Sequence, residues 1–367
     1  MEDLKRLVIT GGPCGGKTTA LAFLSQKLQE AGYTPIMVPE AATLLMGQGI
    51  KPDKVGRLPF QELVIVCSRS NEDIAEAGAR HIAERKLPQP IVVCDRGIMD
   101  GGAYVPLLDF EALLTRKFGP VSPRDHRYDA VFHLRTAADG AEPFYTLETN
   151  KERTETPEEA RTLDEKTVRA WTGHPHLRIL DNSTDFDGKK RRLWEHVCST
   201  LGIPVPIERE RKFQVERFDV SKITDTYQQI DIEQAYLMSS DSRKEIRIRR
   251  RGQNGVYTYY RTVKRTVLPG ERAETERRIS KEEYEVSMQF RLRDRNVIRK
   301  QRTCFVYKNQ YFECDRFENG LRWDMLEIEL TTLQSEVVLP PEIKVVDEVT
   351  GKPEYSNFHL AEIFQPA

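Results

Sequence analysis

The glycine-rich stretch near the start of the chain constrains the fold most. GGPCGGKT, residues 11–18, fits the pattern G-x-x-x-x-G-K-[ST]. The apolar run LVIT (7–10) precedes it, and the helix-like segment Lys17–Glu30 overlaps its end. This order predicts a phosphate-binding loop, because glycines let backbone N–H groups point at an anion beside a helix N-terminus. The residues predicted to form this site are Gly11, Gly12, Pro13, Cys14, Gly15, Gly16, Lys17, Thr18 and Thr19.

The first half of the chain alternates short apolar strands with helical stretches. The strands are apolar on both faces, which is typical of a buried parallel sheet. Their alternation with helices predicts a doubly wound α/β domain over residues 1–202, and the proline-spaced IPVPI (203–207) predicts a linker. The predicted strands are residues 7–10, 35–38, 91–94, 130–134 and 177–180, and the clearest helices are 17–30, 60–85 and 186–198.

Five side chains around this sheet are candidates for nucleotide chemistry. In a loop of this kind Lys17 reaches the β- and γ-phosphates and Thr18 ligates Mg²⁺. Asp95 ends the strand IVVCD, where a second Mg²⁺-facing carboxylate is expected, although it is alternatively a turn cap. Arg96 follows in DRG and is a candidate phosphate ligand. Glu40 lies at the ligand-binding edge of the sheet; it is either a base or acceptor ligand, or an ordinary helix-starting carboxylate.

A charged segment at residues 150–171 supplies a candidate lid. Thr156 as N-cap, Pro157 at N1 and Glu159 at N3 predict a helix start. Arg153 and Arg161 flank this start, and arginines of a mobile lid can neutralise charge that develops on transferring phosphates. The alternative is a solvated helix with an Arg161–Glu165 pair.

Motif order in the first half resembles a known family. GGPCGGKTT, PEAA, CDRGIMDGGAY, YDAVFHL, the arginine-bearing segment and LRILDNSTDFDGK are similar to P-loop ATPases related to nicotinamide-riboside and deoxynucleoside kinases, over about residues 4–200. The resemblance implies Mg²⁺-nucleotide binding with Lys17, Thr18 and Asp95. It leaves the acceptor and the choice between ATP and GTP open.

The second half changes to a period of two. Runs such as KEIRIRRR, VYTYYRTVKRT and MLEIEL alternate apolar and charged residues, and turn signals such as RGQNG (251–255) separate them. Many short strands joined by turns predict an antiparallel β-barrel or sandwich over residues 208–367. One helix interrupts them, since Ser280 and Glu283 form a capping box before EYEVSMQF.

The charged positions of these strands share faces. Successive side chains of a strand alternate between faces, so Glu327 and Glu329 lie together, as do Arg247 and Arg249. For one strand alone, the plain alternative is that charges face water. Taken together, acids and bases on separate strands favour a hollow interior for a polyanion and its Mg²⁺ or Mn²⁺.

The strand pattern also predicts which face of the sheet other charged side chains occupy. FECD is expected to place Glu313 and Asp315 on opposite faces. Arginines at four positions are expected to face away from the interior, where they can meet anionic lipid. These are Arg209, Arg211, Arg250 and Arg251.

The second half also resembles a known family. IERERKFQV (207–215) matches the ExExK signature of the CYTH family, the triphosphate tunnel metalloenzymes, and the order IRIRR, TVK, ETE, RKQR, ECD, LEIEL and EVTGKPEYSNFHLA is similar to it over about residues 206–362. The resemblance implies an eight-stranded antiparallel barrel that hydrolyses triphosphates or cyclises ATP with divalent metal. It implies metal binding by Glu208, Glu210, Glu327 and Glu329, and phosphate binding by Lys212, Arg247, Arg249, Lys264, Lys300 and Arg302.

Composition limits the remaining function classes. The six cysteines form no CxxC pair, which favours reduced thiols in the cytoplasm. The chain shows no secretory signal and no apolar run of membrane-spanning length, so any membrane contact is expected to be peripheral. Residues 243–266 carry nine Lys or Arg and three tyrosines, a pattern suited to nucleic acid. The net charge of −1 and the facing carboxylates argue against that partner.

Two hypotheses remain. The first is an enzyme that binds Mg²⁺ with ATP or GTP in the first half and hydrolyses a triphosphate in the second, where Glu208 and Glu210 hold metal and take a proton from water. The second is a nucleotide-dependent regulator whose tunnel binds a phosphorylated headgroup without turnover. The pairing of a P-loop domain with a CYTH barrel resembles the TRPL translocation defect family, viewed as nucleotide- and phospholipid-binding trafficking regulators.

Overall fold

The structure is a computed structural model of the 367-residue chain. It describes residues 4–120, 122–145, 155–203, 210–241, 244–268, 271–318, 321–330 and 336–363, with only the backbone for 265–268, 271–275 and 363. The chain forms two compact units, Met1–Val197 and Cys198–Ala367. The predicted domain limits at residues 202 and 208 stay predictions, and the predicted linker lies outside the described residues except for Ile203.

The first unit alternates strands and helices, as the sequence predicts. Its helix α4 begins at Arg57, three residues before the predicted start at Phe60. Its elements are β1 (Lys5–Gly11), α1 (Lys17–Glu30), β2 (Thr34–Val38), α2 (Ala41–Gly47), α3 (Pro52–Val55), α4 (Arg57–Glu84), β3 (Pro90–Asp95), α5 (Leu107–Phe118), α6 (Pro123–His126), β4 (Ala130–Leu134), α7 (Pro157–Trp171), β5 (Leu177–Leu180) and α8 (Phe186–Leu201).

The five strands of this unit form a parallel sheet in the order β2-β3-β1-β4-β5. Leu7, Val8 and Ile9 in the central strand are fully buried, as expected for a strand covered on both faces. Parallel strands end at the same edge of a sheet. The carboxyl ends of β1, β2 and β3 therefore bring the loop after Gly11, the segment after Val38 and Asp95 to one edge.

The second unit is mostly β-structure with two short helices. The N-cap at Ser280 is confirmed, since its side chain accepts a hydrogen bond from the Glu283 N–H. The elements are β6 (Glu210–Glu216), β7 (Tyr227–Leu237), β8 (Lys244–Gln253), β9 (Val256–Leu268), β10 (Glu271–Ile279), α9 (Lys281–Met288), β11 (Ile298–Tyr307), β12 (Gln310–Phe317), β13 (Trp323–Glu329), β14 (Val345–Glu348) and α10 (Asn357–Ile363).

These nine strands form one antiparallel sheet in the order β10-β9-β8-β7-β11-β12-β13-β6-β14. The resemblance implied eight strands closed into a barrel. Within the described part of the chain, the edge strands β10 and β14 do not pair with each other. The antiparallel sheet is confirmed, and its closure into a barrel stays a prediction.

The two faces of this sheet differ in chemistry. One face carries an apolar core in which Phe213, Phe305 and Leu326 are buried. The other face carries most of the charged residues and a smaller apolar cluster at one end, where Phe317 packs with Leu360 of α10. None of the described helices is both long enough and apolar enough to cross a membrane.

Candidate functional site

The glycine-rich loop lies between β1 and α1 and packs against the end of β4. A Cβ atom at Gly11 would lie 2.1 Å from the Leu134 carbonyl oxygen, and one at Gly15 would lie 2.6 Å from the same atom. Gly16 has a φ of +83° at the start of α1. The loop thus needs glycine at these positions for close approach and for left-handed backbone.

Lys17, the first residue of α1, lies over its own loop. Its Nζ donates to the carbonyl oxygens of Gly11 and Gly12, both at 3.0 Å. Burial, and then the nearby Arg96, lower the pKa of Lys17 to about 8. The ammonium is therefore held at the phosphate loop, within reach of any anion that the loop binds.

Asp95 ends β3 beside the loop, paired in register with Ile9. Its Oδ1 atom is buried and has no hydrogen-bond partner among the described residues. Burial, and then the Glu40 carboxylate, raise the pKa of Asp95 to about 6. Buried carboxylate oxygens normally have a partner, so this oxygen fits a cation ligand better than a turn cap. The exposed Thr18 in the first turn of α1 suits the same Mg²⁺ ion.

Arg96 and Glu40 form an ion pair beside Asp95. The Arg96 Nε lies 2.6 Å from a Glu40 carboxylate oxygen, and its Nη1 donates to Asp100 at 3.2 Å. Burial raises the pKa of Glu40, but Arg96 and Thr43 outweigh it, so the net shift is downward. An ionised, paired carboxylate is a weak base. Glu40 is also the N-cap residue of α2, although its side chain does not cap that helix.

Asp100 is a buried residue at this edge that the sequence reasoning missed. It accepts hydrogen bonds from the Thr10 hydroxyl, from the Gly97 N–H at 2.8 Å and from the Trp171 indole at 3.3 Å. It thereby ties the DRG turn to β1 and α7. The sequence feature that could have identified Asp100 is its position in CDRGIMD, five residues after Asp95.

The predicted lid is described only from residue 155 onward. The helix start is confirmed, since Thr156 and Glu159 form the predicted capping box. Arg161 donates to the Ala138 carbonyl oxygen at 2.5 Å and to Glu158 at 3.0 Å. These partners replace the expected Glu165. Arg153 lies outside the described residues.

In the second unit, the strand register places the predicted tunnel residues on one face. Residues paired directly across antiparallel strands point to the same side. Glu210 pairs with Glu329, and Lys212 pairs with Glu327. The same parity extends across the sheet to Glu313 and Asp315 on β12, Lys300 and Arg302 on β11, Arg247, Arg249 and Arg251 on β8, Thr262 and Lys264 on β9, and Glu276 on β10.

At one end of this charged face, Lys212 joins two carboxylates. Its Nζ lies 3.1 Å from Glu210 and 3.0 Å from Glu327. Burial raises the pKa of Glu210, and Lys212 only partly offsets this. The pKa of Lys212 is also raised, but by the Glu327 and Glu210 carboxylates, which outweigh the effect of burial. The Lys212 ammonium therefore occupies the position between the Glu210 and Glu327 carboxylates.

The centre of the charged face is a buried ion-pair network around Asp315. The carboxylate accepts from Arg302 at 2.6 and 2.7 Å and contacts Lys300. Arg302 also contacts Glu313 and, at 3.1 Å, Glu327. Glu313 and Asp315 therefore share a face. The expectation of opposite faces was wrong, because residues two apart in a strand point the same way.

The other end of the face is arginine-rich. Arg249 donates to Glu276 at 3.1 Å, and Arg247 lies 3.7 Å from the same carboxylate. The hydroxyl of Thr262 donates to Glu276 at 2.7 Å. This end holds more basic than acidic side chains, because Arg251 belongs to it as well.

Arg251 corrects the expectation of an outward arginine surface. It is 2% exposed and shares the parity of Arg249, so it lies on the charged face. Arg211 and Arg250 do face away, but Arg211 pairs with Glu348 at 2.7 Å and Arg250 with Glu233 at 3.2 Å. The fourth arginine, Arg209, lies outside the described residues. Two paired arginines make a weak surface for anionic lipid.

The described residues of the charged face do not fit a metal site by themselves. No group of three or more His, Cys, Asp or Glu side chains in the described part of the chain is arranged to hold a metal ion. Glu210 and Glu327 share Lys212, Glu329 is exposed, and Glu208 lies outside the described ranges. Metal binding by these four residues stays a prediction.

Solved structures show limited likeness to this chain. NE1496, titled a hypothetical protein in one structure and an inorganic triphosphatase in another, is 26% and 25% identical, with TM-scores of 0.33 and 0.32. Each match covers 43% of this chain, and 100% and 96% of that protein. A conserved hypothetical protein from Pyrococcus furiosus is 23% identical over 37% of this chain and 82% of its own, with a TM-score of 0.27. Such TM-scores carry no argument about function.

One family model matches the part of the chain that holds the glycine-rich loop. No curated protein matches the sequence significantly. The model described as an AAA domain matches residues 6–189, which is half of the 367 residues. This range contains β1, the loop, Asp95 and α7. The chain therefore belongs to the AAA domain family.

Proposed function

We propose that the first unit binds a nucleoside triphosphate, ATP or GTP, with Mg²⁺ and transfers its terminal phosphoryl group. The observation that carries the proposal is the unpartnered Oδ1 of Asp95 beside Lys17. Lys17 would bind the β- and γ-phosphates, and the loop amides would bind their oxygens. Thr18 and Asp95 would hold Mg²⁺, which neutralises charge on the terminal phosphate.

The same residues suggest how a phosphoryl acceptor is treated. Transfer breaks the bond between the terminal phosphorus and its bridging oxygen, and forms a bond to water or to an acceptor hydroxyl. Glu40, whose pKa is lowered by Arg96, is a poor proton acceptor for that hydroxyl. Glu40 would instead hold Arg96 in place for the phosphates.

We expect Mg²⁺-dependent nucleotide binding to weaken as the pH falls through about 6. The pKa of Asp95 is raised to about 6, so below that pH its carboxyl is neutral and attracts a divalent cation less. The measurement is calorimetric titration with ATP and GTP at sub-saturating Mg²⁺, from about pH 5 to about pH 8.

Two variants test this pH dependence. Asp95→Asn should bind weakly at every pH and lose the step near 6. Asp109→Asn, an exposed aspartate of α5, should keep the step. A wild-type affinity that does not change across the range would contradict the role of Asp95.

We propose further that the charged face of the second unit binds a triphosphate. Support comes from the register, which collects Arg247, Arg249 and Arg251 on one side of β8, where Arg247 and Arg249 contact Glu276. Arginine forks bind phosphate oxygens in pairs. The CYTH resemblance adds hydrolysis of the triphosphate with divalent metal as the chemistry to test.

We expect Arg249→Gln to weaken tripolyphosphate binding by about tenfold or more, because it removes a charge-assisted phosphate contact. The matched control is Arg299→Gln on the opposite face of the sheet, where Arg299 is exposed and pairs with Glu233 at 2.8 Å. Binding is measured by calorimetry, and melting temperatures show that both variants are folded. Equal affinities for the two variants would contradict the proposed face.

A measurement of phosphate release distinguishes hydrolysis of a triphosphate by the second unit from binding without turnover. Tripolyphosphate and ATP are incubated with the protein and Mg²⁺ or Mn²⁺, and wild type is compared with Glu210→Gln and Glu327→Gln. Release that these variants lose supports hydrolysis. Binding without release supports a regulator that holds a phosphorylated headgroup, although the paired state of Arg211 and Arg250 offers it little membrane surface.

A further inference from the structure

Asp164 of α7 lies against the phosphate loop, inside the charged segment at residues 150–171 but with no role assigned to it above. Its Oδ1 accepts a hydrogen bond from the Gly12 N–H at 2.6 Å. A Cβ atom at Gly12 would lie 2.5 Å from that same oxygen. The second position of the loop is therefore glycine because a carboxylate occupies the space of its side chain.

The Asp164 carboxylate is fully buried and held by two cationic or polar partners. His133 Nε2 lies 3.0 Å from Oδ1, and Arg135 Nη1 lies 2.8 Å from Oδ2. Burial raises the pKa of Asp164, but His133 and then Arg135 outweigh it and hold the pKa below its usual range. A buried carboxylate costs stability unless it is paired in this way.

One carboxylate thus joins three elements. Gly12 belongs to the loop after β1, His133 belongs to β4, Arg135 directly follows β4, and Asp164 belongs to α7. The same helix carries Arg161 one turn earlier, bound to the Ala138 carbonyl oxygen. A change in how α7 packs would therefore move the first turn of the loop.

We infer that Asp164 is a positioning residue for the phosphate loop. Its charge-assisted hydrogen bond fixes Gly12 and so presets the following loop amides for the triphosphate. The inference rests on the proposed nucleotide binding of the first unit. The competing account is that Asp164 only stabilises the buried packing of α7 against β4.

A double-mutant cycle between Gly12→Ala and Asp164→Ala separates the two accounts, with Mg²⁺·ATP and Mg²⁺·GTP as probes in calorimetry. Asp164→Ala removes the acceptor of this contact, and Gly12→Ala keeps the N–H but places a methyl group against the carboxylate and so displaces the contact. Each single substitution should therefore weaken binding about tenfold, and the double variant should be little worse than either one. A folded Asp164→Ala variant with wild-type affinity, or additive losses of about a hundredfold, would overturn the inference.

Asp164→Asn covers the case in which the alanine variant does not fold. It keeps the shape and an acceptor oxygen but loses the charge, so the Gly12 amide should exchange hydrogen faster in the unliganded protein. Hydrogen-exchange mass spectrometry of the loop peptide measures this, with Asp109→Asn as the control. Wild-type exchange in Asp164→Asn would overturn the inference.

The binding experiment and the hydrogen-exchange experiment also distinguish a failure of this inference from a failure of the proposed function. If the wild-type protein binds neither ATP nor GTP, the proposed function fails. The exchange experiment needs no nucleotide, and it still decides whether Asp164 holds the loop.

Discussion

Lys17→Ala should abolish measurable nucleotide binding, with a loss of about a hundredfold or more for ATP and GTP. The substitution removes the ammonium that lies over the loop at 3.0 Å from the carbonyl oxygens of Gly11 and Gly12. A lysine at this position contacts the β- and γ-phosphates, where preorganised charge contributes most to phosphoryl transfer. Calorimetric titration of purified protein measures the loss.

Lys27→Ala is the matched control on the same helix. Lys27 forms an exposed pair with Glu30 at 2.7 Å, and pairs of this kind contribute little to stability. Its removal should leave nucleotide affinity unchanged. If Lys17→Ala and Lys27→Ala bind nucleotide equally well, the glycine-rich loop is not the nucleotide site.

Asp315→Ala should destabilise the protein by about 3–5 kcal/mol, because it leaves two buried cations without their shared anion. Lys300 is 2% exposed and Arg302 is 8% exposed, and both contact the Asp315 carboxylate. Urea unfolding followed by circular dichroism measures the change. Glu285→Ala, which removes an exposed pair with Lys281 at 3.7 Å, should change stability by less than about 1 kcal/mol.

The direction in which the stability contribution of Asp315 changes with pH gives a second check of this ion-pair network. Arg302 and Lys300 hold the pKa of Asp315 well below its usual range, against the effect of burial. The contribution of ionised Asp315 to the free energy of unfolding is therefore complete above the ordinary aspartate pKa, near 4. It is lost as the pH falls through the lower pKa that Asp315 has in the folded protein. The difference between wild type and Asp315→Ala should shrink in acid. A difference that does not change with pH would contradict the ion-pair account.

Local sequence patterns predicted the first unit well. The apolar runs predicted the ends of the five strands to within two residues, because strands buried on both faces must be apolar throughout. The capping pattern at Thr156 gave the start of α7, because a helix N-terminus needs acceptors for its free N–H groups. These signals act between residues that are near in sequence.

Contacts between distant residues could not be predicted in this way. Asp164 reaches Gly12 over 152 positions, and Asp100 reaches Thr10 over 90. Asp100 lies in CDRGIMD and Asp164 in the charged segment at residues 150–171, but neither local pattern indicates which distant residue the carboxylate contacts. The error at Arg251 is different, since strict alternation along β8 would have placed it with Arg249.

The sequence by itself determined the kinds of structure and their local chemistry: a phosphate loop between strand and helix, and strands that segregate charge onto one face. Those properties depend on backbone geometry and on the two periods of side-chain direction, which neighbouring residues set. Only the tertiary structure decided which charges meet. Lys212 joins Glu210 to Glu327, Asp315 joins Lys300 to Arg302, and Asp95 keeps one oxygen unpartnered. Strand register and burial set those pairings, because both depend on the packing of segments far apart in the chain.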